Sequence, residues 1–477
     1  MALSAAGSVG GVNARPAMPA WGRTNVLSLK SLGGAGTVTG SKHLLSLGDQ
    51  RVLIDCGLFQ GLKNLRDLNW QPLPVSPRDV DAVILTHAHL DHSGYLPRLV
   101  QGGYRGKVYA TPATRDVAEL ILMDSGHLQE KDAEFFNRHQ LSRHQPALAL
   151  YGVRDAQRAV GHFSTAAFGQ TVRLAGGTSF RFRPAGHILG AASVDLEWGG
   201  RRIVFSGDIG RYDDPLLPDP VPPPEADYIL IESTYGNRIH DKADPTEALG
   251  AIVDRTIARG GTLVIPAFAV GRAQELLYHF WKLKRAGRLA AVPLFLDSPM
   301  AIDATELMSR HMGDHRLDSK TCRQVFGIAR YTDDVEASKA ISANLFPKVV
   351  ISASGMATCG RVLHHLKAFA PDARNTILLA GFQAAGTRGR ALQEGARELK
   401  IHGLWVPVNA EVAHLDMLSA HADAQELMRW LSACPRPPRK VFIVHGEPEA
   451  AEALRIRIGR ELGWPAVVPR LDQEFEL

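Results

Sequence analysis

Few cysteines, no long apolar run and no large excess of charge mark this sequence, and each shortage excludes something. The four cysteines, Cys56, Cys322, Cys359 and Cys434, lie far apart in a chain of 477 residues and form no CxxC pair. That argues against a disulfide framework and reads as free thiols in a reducing, cytoplasmic compartment. The longest apolar runs, such as Leu263-Val264-Ile265-Pro266-Ala267-Phe268-Ala269-Val270, are far too short to span a bilayer, so no membrane partner is expected. The first 25 or so residues are rich in Ala, Gly and Ser and carry Arg15 and Arg23, yet lack the continuous apolar core of a signal peptide. Residues 1–24 are therefore expected to form a disordered tail. Basic residues outnumber acidic ones by 54 to 49, and the net charge of +5 permits a polyanionic partner without requiring one. The rest is ordinary for a globular chain: 45% hydrophobic and 22% charged, with length for two or three domains.

What is unusual is Thr86-His87-Ala88-His89-Leu90-Asp91-His92-Ser93-Gly94. It follows the apolar run Ala82-Val83-Ile84-Leu85, a predicted buried strand, and precedes a predicted short helix over Tyr95 to Val100. Three His and one Asp within six positions at a strand end would be costly to bury without a metal ion. His87 and His89, two apart in an extended turn, share one side and can grip one ion. Asp91 and His92, adjacent at a helix start, point elsewhere and suit a second.

Other strand ends offer further ligands. Val52-Leu53-Ile54-Asp55 ends in an acid that could orient a ligating His. Arg181-Phe182-Arg183-Pro184-Ala185-Gly186-His187 and Arg202-Ile203-Val204-Phe205-Ser206-Gly207-Asp208 add a third His for one ion and a carboxylate able to bridge both. Small neighbours (Gly186, Gly190, Gly207, Gly210) allow close backbone approach. Gly33 to Ser41 reads as a hairpin turn between strands rather than a phosphate loop. His127, His139, His144 and His162, in a charged helical stretch from about Thr114 to Phe163, have no ligand spacing and read as solvated or packing residues. So do His240, His364, His365, His402 and His414.

His87-Ala88-His89-Leu90-Asp91-His92, His187 and Asp208, in this order, resemble the metallo-β-lactamase fold, with Asp55 matching the acid of its first motif. Three later motifs narrow the resemblance. Asp227-Tyr228-Ile229-Leu230-Ile231-Glu232 is a strand ending in Glu, and Ser419-Ala420-His421-Ala422-Asp423 and Val444-His445-Gly446-Glu447 contribute late histidines. The set resembles the β-CASP nucleases, the branch with ribonuclease J and the endonuclease of messenger-RNA 3′-end cleavage; Glu232, His421 and His445 fall on its motifs A, B and C. The resemblance implies an α/β chain: a metallo-β-lactamase αββα sandwich over 25–236 and 416–477, with a β-CASP α/β domain inserted at 237–415. It implies two Zn²⁺ per chain, for which Mn²⁺ could substitute. One ion would be held by His87, His89 and His187, the other by Asp91, His92 and His445, with Asp208 bridging. Asp91, Asp208, Glu232 and His421 would be the catalytic set, His421 serving as general acid with Glu232 on its other ring nitrogen.

In the inserted region, Gly261 to Pro266, Val349 to Met356 and Thr376 to Gln383 read as strands that lead into helices. Loops of this kind make anion sites, because free N–H groups and the helix dipole face them. Arg272, Ser354, Gly355, Thr387 and Arg388 are the substrate-phosphate candidates. Single-stranded RNA is the expected partner, with a second copy of the chain as an option. His445 stands where DNA-directed relatives usually carry Val, and the complete ligand set argues against a non-catalytic RNA-binding subunit. The short stretch after His445 and the lack of a module before the first strand lean towards endonuclease over 5′-3′ exonuclease action.

Overall fold

The computed structural model describes residues 26–140, 145–289 and 292–477. The expected tail and His144 lie outside the described residues. Two seven-stranded sheets face each other. The first runs, in spatial order, Glu474–Glu476, Ser28–Gly33, Lys42–Leu47, Gln50–Ile54, Ala82–Ile84, Lys107–Ala110 and Phe163–Thr165. Pairing is antiparallel up to Gln50–Ile54 and parallel beyond it. The second runs Ala466–Val467, Lys440–Val444, Tyr228–Glu232, Arg201–Phe205, Ala192–Trp198, Ser179–Pro184 and Val172–Arg173.

The central strand Tyr228–Glu232 shows why its sequence reads as an unbroken apolar run. Tyr228 and Leu230 pack between the sheets with Leu45, Ile54, Phe182, Phe205 and Phe442. Ile229 and Ile231 face the other way, onto Leu427, Trp430 and Leu454 of the helices Ala424–Ser432 and Pro448–Glu461. A strand covered on both faces has no polar side to alternate with. On the far side, Val117 and Ile121 of the helix Pro112–Arg138 pack with Val83 and Val108 of the first sheet. Helices outside and two sheets within make the αββα sandwich.

The third sheet is parallel throughout, in the order Arg330–Tyr331, Leu294–Leu296, Lys348–Ser352, Thr262–Pro266, Thr376–Leu379 and Glu411–His414. Helices Arg272–Arg285 and Val362–Phe369 follow two of its strands. It is inserted between Tyr228–Glu232 and Lys440–Val444, which lie side by side in register, Tyr228 opposite Lys440 and Glu232 opposite Val444. The chain thus leaves the sandwich at one strand end and returns to the next strand. The core of the first helical layer continues into Leu263, Leu276 and Phe280 of the insertion.

Two details refine the sequence reading. The predicted helix over Tyr95 to Val100 is present as Leu96–Gln101, and a separate short helix, Leu90–Ser93, precedes it. The helical stretch to Phe163 is two helices, Pro112–Arg138 and Val153–Val160, and Phe163 already belongs to a strand.

Candidate metal centre and cleft

Every candidate ligand sits at the carboxyl end of a strand or in the loop after it, so parallel neighbours deliver them to one edge of the sandwich. Ala82–Ile84 carries His87, His89, Asp91 and His92; Ser179–Pro184 carries His187; Arg201–Phe205 carries Asp208; Lys440–Val444 carries His445. Gly210 makes this crowding feasible, since a Cβ there would lie 1.9 Å from the Gly186 carbonyl oxygen. The Gly210 N–H donates to Ala185 O at 2.8 Å, which holds the His187 and Asp208 loops backbone to backbone.

The donors form two groups. His87 Nε2 and His187 Nε2 lie 3.2 and 3.1 Å from His89 Nδ1, and 3.4 and 3.5 Å from Asp208 Oδ2. Four donors around one zinc, at about 2.1 Å each, would stand roughly 3.4 Å apart. In the second group, Asp91 Oδ2 is 3.2 Å from His445 Nε2 and 3.9 Å from His92 Nε2. Asp208 Oδ1 faces this group, 3.3 Å from His92 Nε2 and 3.5 Å from His445 Nδ1. The two oxygens of one carboxylate therefore face the two groups.

Proton placement fits the same reading. His187 Nδ1 donates to Ala420 O at 3.2 Å, which leaves Nε2 its lone pair. His92 Nδ1 donates to Asp55 Oδ2 at 2.7 Å. Asp55 also accepts from the Thr86 N–H (2.7 Å) and hydroxyl (2.8 Å), so one buried carboxylate fixes both the turn and the imidazole. His92 Nε2 and Asp208 Oδ1, which face each other at 3.3 Å, are buried without a hydrogen bond. Native structures rarely leave such atoms orphaned unless a ligand completes them. Burial and the neighbouring imidazoles hold His87 and His187 well below the usual histidine range, the Asp208 charge only partly opposing, so both stay neutral as ligands must. Residues and chemistry fit metal ions.

Beside the first group, with its ring 4.4 Å from that of His187, His421 has Nδ1 3.2 Å from both oxygens of Glu232. Glu232 is fully buried and held by the Ile209 N–H at 2.6 Å and the Thr234 N–H at 3.3 Å. Burial works against a charge on His421, but the charge and hydrogen bond of Glu232 outweigh it and raise its pKa to about 8.

A cleft of about 520 Å³ opens over these groups, between the sandwich and the insertion. Arg272, Ser354 and Gly355 line it, with Phe268, Asp297 and Arg361. Arg272 is buried and ion-paired with Glu275, while its Nε has no partner. The structure does not bring Thr387 and Arg388 to the cleft wall. The Thr387 hydroxyl accepts from Arg390 N and donates to Ala384 O, and Arg388 donates to the carbonyls of Lys400, Ala357 and Thr358. Their polar atoms are used inside the fold.

Several residues gave no signal in the sequence. His127, read as solvated or packing, is exposed on the cleft wall. His240 Nε2 donates to the His421 carbonyl at 3.1 Å and its ring packs on Tyr235. Asp297 receives Arg361 Nη1 at 2.7 Å and buried His365 Nε2 at 2.6 Å. An Asp ending a strand before Ser298-Pro299 was the only hint of that cluster.

A sandwich with paired His and Asp donor groups at its strand ends defines a metal-dependent hydrolase. The Beta-lactamase superfamily domain matches residues 50–259, the Beta-Casp domain 273–392 and the Zn-dependent metallo-hydrolase RNA specificity domain 405–469. Ribonuclease TTHA0252 of Thermus thermophilus is 41% identical over 430 residues, covering 88% of this chain and 94% of that protein. Transcription termination factor FttA of Methanosarcina mazei is 33% identical over 91% of this chain and 69% of its own length. An RNase J-like protein of Methanocaldococcus jannaschii is 32% identical, over 88% and 92%. A solved protein of unknown function from Enterococcus faecalis V583 shares the fold at TM-score 0.51 and 12% identity, covering 95% of this chain and 100% of that one. The chain belongs to the metallo-β-lactamase β-CASP RNA nuclease family. It is a ribonuclease with a metal cofactor, and none of its described helices is long and apolar enough to cross a membrane.

Proposed function

We propose that this ribonuclease uses two zinc ions and cuts single-stranded RNA internally. The observation that carries the reading is Asp208, whose Oδ2 faces His87 and His187 and whose Oδ1 faces His92 and His445. His87, His89 and His187 would hold one ion and Asp91, His92 and His445 the other, with Asp208 shared. Two such ions supply, when bound, an activated water and a clamp on the phosphate oxygens. Manganese suits the oxygen donors of the second group and is the alternative ion.

The protein's own part is positioning and proton supply. With Nδ1 committed to Glu232, His421 presents Nε2 to the cleft and delivers a proton to the departing RNA oxygen. The His240 contact with the His421 carbonyl keeps that backbone in place. Arg272, through its unused Nε, and the Ser354-Gly355 loop grip phosphates that flank the scissile one. A cleft walled by two domains suits a threaded backbone, which supports internal cutting.

Metal analysis and a product map on labelled RNA with blocked and free 5′ ends test this. Two zinc ions per chain and internal cuts that ignore the 5′ end are expected. Mononucleotides released only from a free 5′ end would sink the endonuclease reading.

A further inference from the structure

The two strands Glu398–Ile401 and Leu404–Pro407 form a separate hairpin at the side of the insertion. Its inner face is anchored, with Leu399, Ile401 and Val406 buried against Leu363 and Leu366. Its outer face carries Trp405, which is 63% exposed. Lys400 stands directly opposite Trp405 in the antiparallel register, so the ammonium and the indole share the outward side. An indole so exposed on an anchored element lacks a packing role, and a flat aromatic beside a cation is the pairing that single-stranded nucleic acid finds on its binding proteins.

Arg388 fixes where this hairpin lies. Its Nε donates to the Lys400 carbonyl at 2.7 Å, and its Nη1 to the carbonyls of Thr358 at 3.0 Å and Ala357 at 3.3 Å. Thr358 lines the catalytic cleft. One guanidinium therefore spans from the cleft rim to the hairpin. Burial, and then His364, Lys367 and Arg388, hold the nearby His402 below the usual histidine range.

We infer that the outer face of the hairpin 398–407 is a stacking platform that holds the RNA strand where it leaves the cleft, Trp405 taking a base and Lys400 a phosphate. Arg388 acts as a positioning residue that ties platform to cleft. The inference rests on the RNA-cleaving reading of the metal centre. It implies that long RNA is bound more tightly than RNA that only fills the cleft.

The test compares the whole chain with Trp405→Ala, Trp405→Phe and Lys400→Gln on two RNAs, one of about 6 nucleotides and one of about 20. Trp405→Ala should weaken binding of the long RNA roughly 10-fold and leave the short one unchanged. Trp405→Phe should restore most of that loss. Lys400→Gln should lower the salt slope for the long RNA by about one. Equal affinity of Trp405→Ala for the long RNA, or an equal loss on both RNAs, overturns the platform while cleavage by the unmodified chain still stands. A change of oligomeric state in Trp405→Ala also overturns it, because the face would then be an interface between copies. Failure of the unmodified chain to bind or cut either RNA removes the RNA reading itself, and the platform with it.

Discussion

His421 Nδ1 is 3.2 Å from each carboxylate oxygen of Glu232, although 189 positions separate the two residues. Neither lies in the cluster of His87 to His92, and Glu232 holds the His421 ring at Nδ1 as Asp55 holds that of His92. A ring whose Nδ1 is committed to a buried carboxylate has only Nε2 to offer.

That pairing predicts a split between metal content and turnover. His421→Ala should keep both ions and lose about 10²–10⁴-fold in kcat. Glu232→Gln, which keeps the shape and removes the charge, should lose less and shift the alkaline limb of the pH–rate profile, where His421 loses its proton, to lower pH. Metal analysis beside single-turnover rates decides. Loss of zinc from His421→Ala in step with activity would make His421 a ligand and not an acid.

Asp55 gives a second expectation. It touches no candidate ion, yet it fixes His92 at 2.7 Å and the Thr86 N–H at 2.7 Å. Asp55→Asn can still accept from Thr86 but cannot hold the His92 ring with a charge. Metal affinity should fall about 10–100-fold, with the fold intact. Competition against a chelating dye measures this, and cleavage should recover when zinc is in excess. Unchanged affinity would leave Asp55 with only its structural bonds to Thr86.

The sequence exposed the ligands because strand ends declare themselves: an apolar run stops and a His or Asp follows. The runs before His87, His187, Asp208 and His445 were legible for that reason. The supports were not. His240 behind His421, and Arg361 and His365 on Asp297, are contacts between segments far apart in the chain, and none carries a local pattern. The phosphate candidates show the limit from the other side. Ser354 and Thr387 both follow strand-like runs, yet only the first lines the cleft, because Thr387 is used to cap the helix Arg388–Gln393. Charge and propensity name the residue type that a site needs, while packing decides which copy reaches it.

Lys42 yields a prediction about stability. Its Nζ is buried, donates to Gly57 O at 2.6 Å and lies over the rings of Phe59 and Tyr95. Burial lowers its pKa from 10.5 to about 8, the nearby Cys56 opposing only weakly. Between those values the unfolded chain binds the proton and the folded one does not, so stability rises with pH through that window. The penalty is full below pH 8 and amounts to about 3 kcal/mol. Cys56, pushed up from 9.0 to about 12 by burial, keeps its proton in the folded chain and loses it above pH 9 in the unfolded one, so it opposes the rise in the upper part of the window. In urea unfolding the stability of the unmodified protein relative to Lys42→Met should rise across the window, a difference that removes the contributions of Lys348 and Cys56 common to both. Parallel pH profiles for the two would mean that Lys42 keeps its charge when folded.

Metal removal follows from the buried donors. His92 Nε2 and Asp208 Oδ1 face each other at 3.3 Å without a hydrogen bond, and the imidazoles of His87, His89 and His187 meet nitrogen to nitrogen at 3.1–3.2 Å. Lone pairs that converge in this way repel unless a cation or a proton lies between them. Binding confined to the folded state adds stability as the ratio of free ion to its dissociation constant, about 4 kcal/mol at a thousandfold ratio. Chelation should therefore lower the Tm, and added zinc should restore it as its concentration rises. Burial opposes a charge on His92, but Asp208 and Asp55 hold its pKa well above the usual histidine range, so zinc rebinding should release that proton and weaken as pH falls. Calorimetry in two buffers of different ionisation enthalpy reads that proton release directly. A Tm indifferent to both chelator and zinc would mean that the cluster folds around its own hydrogen bonds and holds no ion of structural weight.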